Sequence, residues 1–112
     1  MQRIKQSLTR FFRTLFFMVR IEGESMWPIL VPGMRYCASA LLKPIQGDCI
    51  VFRDPRFPDR ILVKRVSAYK NENYFVESLV SWGDSSKDFG GIPRDSILGT
   101  VIRNRLKNGR KN

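Results

Sequence analysis

The side chains able to do chemistry in this sequence are defined first by a missing one, since the chain contains no histidine. A serine or cysteine nucleophile ordinarily relies on histidine as its base, so a hydrolase built here must use lysine, a carboxylate or a metal ion. Metal is not expected. Cys37 and Cys49 stand singly within apolar stretches and no ligand spacing is present. They read as reduced core cysteines in a reducing compartment, and no cofactor motif accompanies them. That narrows an enzymatic reading toward a serine paired with a lysine.

Ser25 is the candidate nucleophile. It sits in Gly23-Glu24-Ser25-Met26-Trp27-Pro28-Ile29-Leu30, followed by Val31-Pro32-Gly33. A serine between a strand and a proline-limited turn presents its hydroxyl on an exposed corner, with its own N–H aimed outward to stabilise an oxyanion. Gly23, two residues upstream, has no side chain to hold a substrate backbone away. Taken alone, the segment reads equally as an ordinary turn.

Lys64 is the candidate base, within Arg60-Ile61-Leu62-Val63-Lys64-Arg65-Val66. Alternation along a strand puts Leu62, Lys64 and Val66 on one face. A lysine titrates near 10.4 in water, where it is useless as a base at neutral pH, and burial can lower this by about 3–5 units. Apolar neighbours on the same face give Lys64 that opportunity. An isolated strand lysine more often snorkels to water. A third segment, Gly83-Asp84-Ser85-Ser86-Lys87-Asp88-Phe89-Gly90-Gly91-Ile92-Pro93, is a turn-rich loop with hydroxyls able to orient the lysine, or simply a solvated loop.

The elements that must position these groups are short strands. Strand character runs through 17–22, 35–42, 49–53, 61–68, 74–80 and 97–103, with turn signals between them. The turns include Gln46-Gly47-Asp48, Asp54-Pro55, Lys70-Asn71-Glu72-Asn73 and Gly90-Gly91-Ile92-Pro93. The pattern predicts a mainly β fold, a small antiparallel domain, preceded by a short amino-terminal amphipathic helix. At 112 residues one core is all the chain can fill.

Charge divides the chain further. The formal net charge is +10, yet residues 21–102 carry ten basic and ten acidic side chains, so the excess lies entirely in the ends. The sequence therefore divides into a basic amphipathic segment (1–20), a neutral body (21–103) and a basic tail (104–112). A neutral body argues against nucleic acid as a partner. Within 8–20, Phe11, Phe12, Leu15, Phe16, Phe17 and Met18 interleave with arginines. Such a segment can lie in a membrane interface, but arginines interrupt it too often for it to span a bilayer.

In this order the segments resemble the serine/lysine peptidases of the signal peptidase I type. Gly23 to Leu30 matches that family's Gly-x-Ser-Met-x-Pro-x-Leu nucleophile segment. Gly47-Asp48-Cys49-Ile50-Val51 matches its Gly-Asp-x-Val-Val strand, and Lys64-Arg65-Val66 its Lys-Arg-Val base strand. Ser86-Lys87-Asp88 matches its late Ser-x-Asp loop, and Gly99-Thr100-Val101 its closing strand. The resemblance implies the family's β-rich catalytic core, with Ser25 attacking the scissile carbonyl and Lys64 taking and returning the proton. Ser86 then holds the lysine amine and Asp88 braces its loop. Gly23 and the Ser25 amide line the oxyanion site, and Met26 flanks the substrate cleft. Departures from the pattern leave the hydroxyl open. Glu77-Ser78-Leu79 stands where the family has Gly-Asp-Asn, and Phe89 follows Asp88 where an arginine is common. Ser78, Ser85 and Ser86 are therefore all candidates to orient Lys64.

The brevity of the chain, its Asp54-Pro55-Arg56-Phe57-Pro58-Asp59 loop and its Asp88-Phe89-Gly90 are similar to the nickel-type superoxide dismutase maturation proteases. That likeness implies a cytoplasmic enzyme, peripheral at the membrane through residues 8–20, whose partner is a precursor with an amino-terminal extension. The competing readings are a signal peptidase acting on secretory precursors, a self-cleaving repressor-like protease, and a basic binding module with an inactive dyad.

Overall fold

The fold, a computed structural model, describes residues 15–79 and 90–102. Seven strands form one antiparallel sheet: β1 (Phe16–Arg20), β2 (Arg35–Ser39), β3 (Cys49–Arg53), β4 (Ile61–Lys70), β5 (Asn73–Glu77), β6 (Ile92–Pro93) and β7 (Ile97–Val101). Their order across the sheet is β1-β2-β7-β3-β4-β5-β6. This is the small antiparallel β domain that the sequence pattern predicts. The amino-terminal helix expected over the first dozen residues lies outside the described residues, as does the basic tail. The last five residues of the basic amino-terminal segment form β1.

The centre of the sheet is set by composition. Cys49-Ile50-Val51-Phe52 is a continuous apolar run, and all four residues are buried. A strand of this kind must be covered on both faces. Cys49 and Val51 join a cluster containing Ile21, Met26, Leu30, Ala38 and Val101. Ile50 and Phe52 join a second cluster with Val66, Tyr74, Val76 and Ile92. Because side chains alternate along a strand, the two clusters occupy opposite faces of the sheet.

Packing explains the small residues. Phe17 lies opposite Ala38 of β2, and Ala38 lies opposite Val101 of β7. The Phe17 ring extends over Gly99, where an added Cβ would sit 2.8 Å from Cε1 of that ring. Glycine is required there because the ring occupies the space a side chain would need.

Most strand boundaries differ from the sequence expectation by one to three residues, and three differences bear on the site. β1 stops at Arg20 because the pairing becomes irregular at the next step: Ile21 N–H still donates to Met34 O (3.0 Å), but Met34 N–H turns to Val31 O (3.1 Å) and Gly33 N–H donates to Ile21 O (2.8 Å). β5 stops at Glu77 because the next residues leave the ladder, and the Leu79 N–H donates instead to Ser25 O at 2.7 Å. Ile92–Pro93, expected as a turn, forms a two-residue strand paired with Asn73 and Tyr74, and Ile92 is fully buried. A pairing so short is a product of the neighbouring strand and leaves no periodicity to read. The Lys70–Asn73 turn is as expected, with Asn71 and Glu72 at φ of 52° and 65°. Two successive positive φ values match the twist of a tight hairpin.

Candidate active site

Ser25 opens a compact turn that holds it against the body. Trp27 N–H donates to Glu24 O (3.0 Å) and Leu30 N–H to Met26 O (2.8 Å), which closes the chain over residues 24–30. Met26 and Leu30 anchor the turn in the core while Ser25 stays half-buried. The Tyr36 hydroxyl accepts from Val31 N–H at 2.9 Å and ties the end of the turn to β2. Upstream, Gly23 has a φ of 77°, and nothing lies within 4 Å of where its Cβ would be. The chain reverses there in a conformation that side chains disfavour, and the space above it stays open. Among the described residues the Ser25 N–H meets no hydrogen-bond acceptor.

Lys64 lies in β4 opposite Ile50, on the face it shares with Leu62 and Val66. It is 6% exposed, so the snorkelling alternative does not apply. Its Nζ donates to Ser78 Oγ at 2.7 Å. The register explains that contact. Arg65 is directly opposite Glu77, so antiparallel running brings the residue after Glu77 across from the residue before Arg65. The Arg65 guanidinium donates to Glu77 Oε1 from Nε (3.0 Å) and Nη2 (2.6 Å), fastening the two strands beside the contact. Ser78 is one of the three hydroxyls left open by the sequence. Ser85, Ser86 and Asp88 lie outside the described residues.

Ser25, Met26 and Lys64 meet in one cleft of about 260 Å³, lined also by Val19, Arg20, Ile21 and Glu22 on one wall and Ile61, Leu62 and Val63 on the other. No hydrogen bond joins Ser25 to Lys64, a common condition before substrate closes a site. Each wall consists of four consecutive residues, although consecutive side chains in a strand point to opposite faces. The cleft therefore runs along strand edges instead of over one face. Among the described residues β1 pairs with β2, and β5 begins its pairing with β4 at Arg65. Sequence reasoning missed this arrangement, because the pairing of a strand is a property of its neighbours.

A second buried charge lies at the end of β3. Asp54 is fully buried, and its carboxylate accepts from Arg56 N–H (2.8 Å), Nε (3.3 Å) and Nη2 (3.3 Å). Arg60 Nη1 stands 3.8 Å away. Burial raises its pKa, but the Arg56 hydrogen bonds and the charges of Arg56 and Arg60 outweigh burial and hold the carboxyl below its ordinary 3.8.

Among the described residues no cluster of three or more metal-ligating side chains occurs, and no helix is long and apolar enough to cross a membrane. No curated protein matches the chain. The sequence does match the family described as signal peptidase, peptidase S26, over residues 7–73, a span that includes the Ser25 turn, both walls of the cleft and Lys64. That match covers more than half of the chain, which therefore belongs to the signal peptidase family of peptidases.

Proposed function

We propose that the chain is a serine endopeptidase with a Ser25–Lys64 dyad that removes an amino-terminal leader from a precursor protein. The observation that carries this reading is the meeting of Ser25 and a buried Lys64 in one cleft. The precursor lies extended in the cleft between β1 and the first half of β4. Ser25 Oγ attacks the scissile carbonyl while Lys64 Nζ, neutral when it acts, takes the hydroxyl proton. The Ser25 N–H and the open space over Gly23 receive the oxyanion. Lys64 then returns the proton to the leaving amine, and a water molecule, deprotonated by the same lysine, releases the acyl group from Ser25. Ser78 holds Nζ toward the cleft throughout. Burial favours the role, because an ammonium ion loses its hydration on entering an apolar surrounding.

Within the family, the likeness of the 54–59 loop favours maturation of a nickel-type superoxide dismutase, in the cytoplasm and at a membrane face contacted by residues 8–20. The test is cleavage of that precursor by wild type beside Ser25→Ala, reading the new amino terminus by mass spectrometry. Cutting at one site that is lost in Ser25→Ala supports both dyad and substrate. Processing of secretory precursors instead moves the activity to leader removal at the membrane. Cleavage of neither leaves a binding module with an inactive dyad.

A further inference from the structure

The bonds that close the Ser25 turn pass Ser25 by. They use the carbonyls on either side of it, Glu24 O from Trp27 N–H (3.0 Å) and Met26 O from Leu30 N–H (2.8 Å). The Ser25 carbonyl between them is met from outside the turn, by the Leu79 N–H at 2.7 Å. A peptide group is planar, so holding this C=O restrains rotation about the Ser25 Cα–C bond. The direction in which the Ser25 side chain leaves the turn is restrained with it.

The segment that supplies this bond also contacts the base. Glu77, Ser78 and Leu79 are consecutive, and each meets a different part of the site. Glu77 Oε1 accepts from Arg65 Nη2 at 2.6 Å, and Ser78 Oγ accepts from Lys64 Nζ at 2.7 Å. Leu79 N–H reaches Ser25. Successive Cα atoms stand roughly 3.8 Å apart, so Ser25 and Lys64 are referred to each other through two adjacent residues. The Leu79 side chain is half-buried and packs against the cluster that contains Met26 and Leu30, the two anchors of the turn. Backbone and side chain together hold the turn at two points.

We propose that Leu79 is a positioning residue for the reaction. Its N–H sets the Ser25 backbone and its side chain seats the turn, so that Oγ meets the scissile carbonyl with its proton within reach of Lys64 Nζ. The inference rests on the peptidase reading and adds a residue to it. Leu79 does not line the cleft, so it acts through Ser25 and not on the substrate.

The experiment uses the full chain and a peptide chosen from a proteome-derived library for Ser25-dependent cleavage, with new termini read by mass spectrometry. Leu79→Ala removes most of the side chain and keeps the N–H, whereas Leu79→Met keeps the apolar volume. Replacing Leu79 by its α-hydroxy acid keeps the side chain and deletes the N–H. Leu98→Ala makes the same truncation at another half-buried leucine on the same cluster. All are assayed well below their melting temperatures.

The expected result is a kcat about tenfold to a hundredfold lower in Leu79→Ala and in the α-hydroxy acid variant, with KM within about twofold, as for a nucleophile displaced by about 1 Å or less. Leu79→Met recovers most of the loss. Leu98→Ala lowers Tm with kcat as in wild type. A kcat unchanged in both Leu79 replacements, or lowered equally by Leu98→Ala, overturns the positioning role and leaves the peptidase standing. Absence of cleavage by wild type, or cleavage that survives Ser25→Ala, overturns both.

Discussion

Asp54 and Lys64 are two buried ionisable groups ten residues apart, and they are treated in opposite ways. Asp54 meets cations supplied by its own loop, two and six residues on, and those contacts hold it ionised. Lys64 is placed among apolar side chains and donates to a hydroxyl fourteen residues away, on another strand. A carboxylate surrounded by guanidinium groups is a finished structural unit, and its charge is best left unchanged. The described partner of the Lys64 amine is a neutral hydroxyl, and the amine stands at the edge of an open cleft. The difference is one of reach: the Asp54 contacts close a single loop, whereas the Lys64 contact joins β4 to the residue that follows β5.

The largest effect is expected from breaking the Lys64 side of the comparison. Lys64→Arg keeps a long cation but one that stays protonated, so kcat falls by about 10³ or more, within the range of a lost general base. Cleavage assays beside a thermal melt measure this, and undiminished activity would falsify the dyad. Ser78→Ala should lower kcat by roughly tenfold with KM little changed, since the hydroxyl positions the base without touching substrate. Ser78→Thr, which keeps the hydroxyl, should recover part of the loss, and a change confined to the melting temperature would reduce Ser78 to a structural role.

The Asp54 side should respond in stability and not in chemistry. Asp54→Asn leaves arginines without their counter-charge and should cost about 1–3 kcal/mol, read from the denaturant midpoint, with kcat per folded molecule unchanged. The pH dependence has a definite sign. A carboxyl held below 3.8 when folded adds stability that is fully present above its unfolded pKa and is lost as pH falls through the lower folded value. Wild type should therefore lose stability below about pH 4 more steeply than Asp54→Asn, and parallel acid curves would contradict the assignment. The smallest effect is expected at the Arg65–Glu77 pair, where the side chains are 33% and 40% exposed. Glu77→Gln should cost under about 1 kcal/mol and lower kcat only a few-fold through Ser78, with the difference shrinking in high salt.

Much of the site was legible in the chain. The absence of histidine left lysine as the available base, and Leu62 and Val66 flanking Lys64 at alternate positions indicated its burial. The continuous apolar run of β3 marked a strand covered on both faces. The hydroxyl was not legible. Ser78, Ser85 and Ser86 are chemically equivalent in sequence, and Ser78 was singled out among the described residues by the Arg65–Glu77 register. The β6 pairing was equally hidden, since two residues carry no period.

What the sequence determined by itself was the chemistry on offer and the type of element that carries it. Residue identity and side-chain alternation are local, so they survive translation into structure. Only the tertiary structure decided the order in which the strands pair, that Ser78 reaches Lys64, and how the Ser25 turn is tethered through Leu79 to the end of β5. Each of these depends on strand order and register between segments distant in the chain, and hydrogen bonds of that range are set by which neighbours pack together, not by the residues at either end.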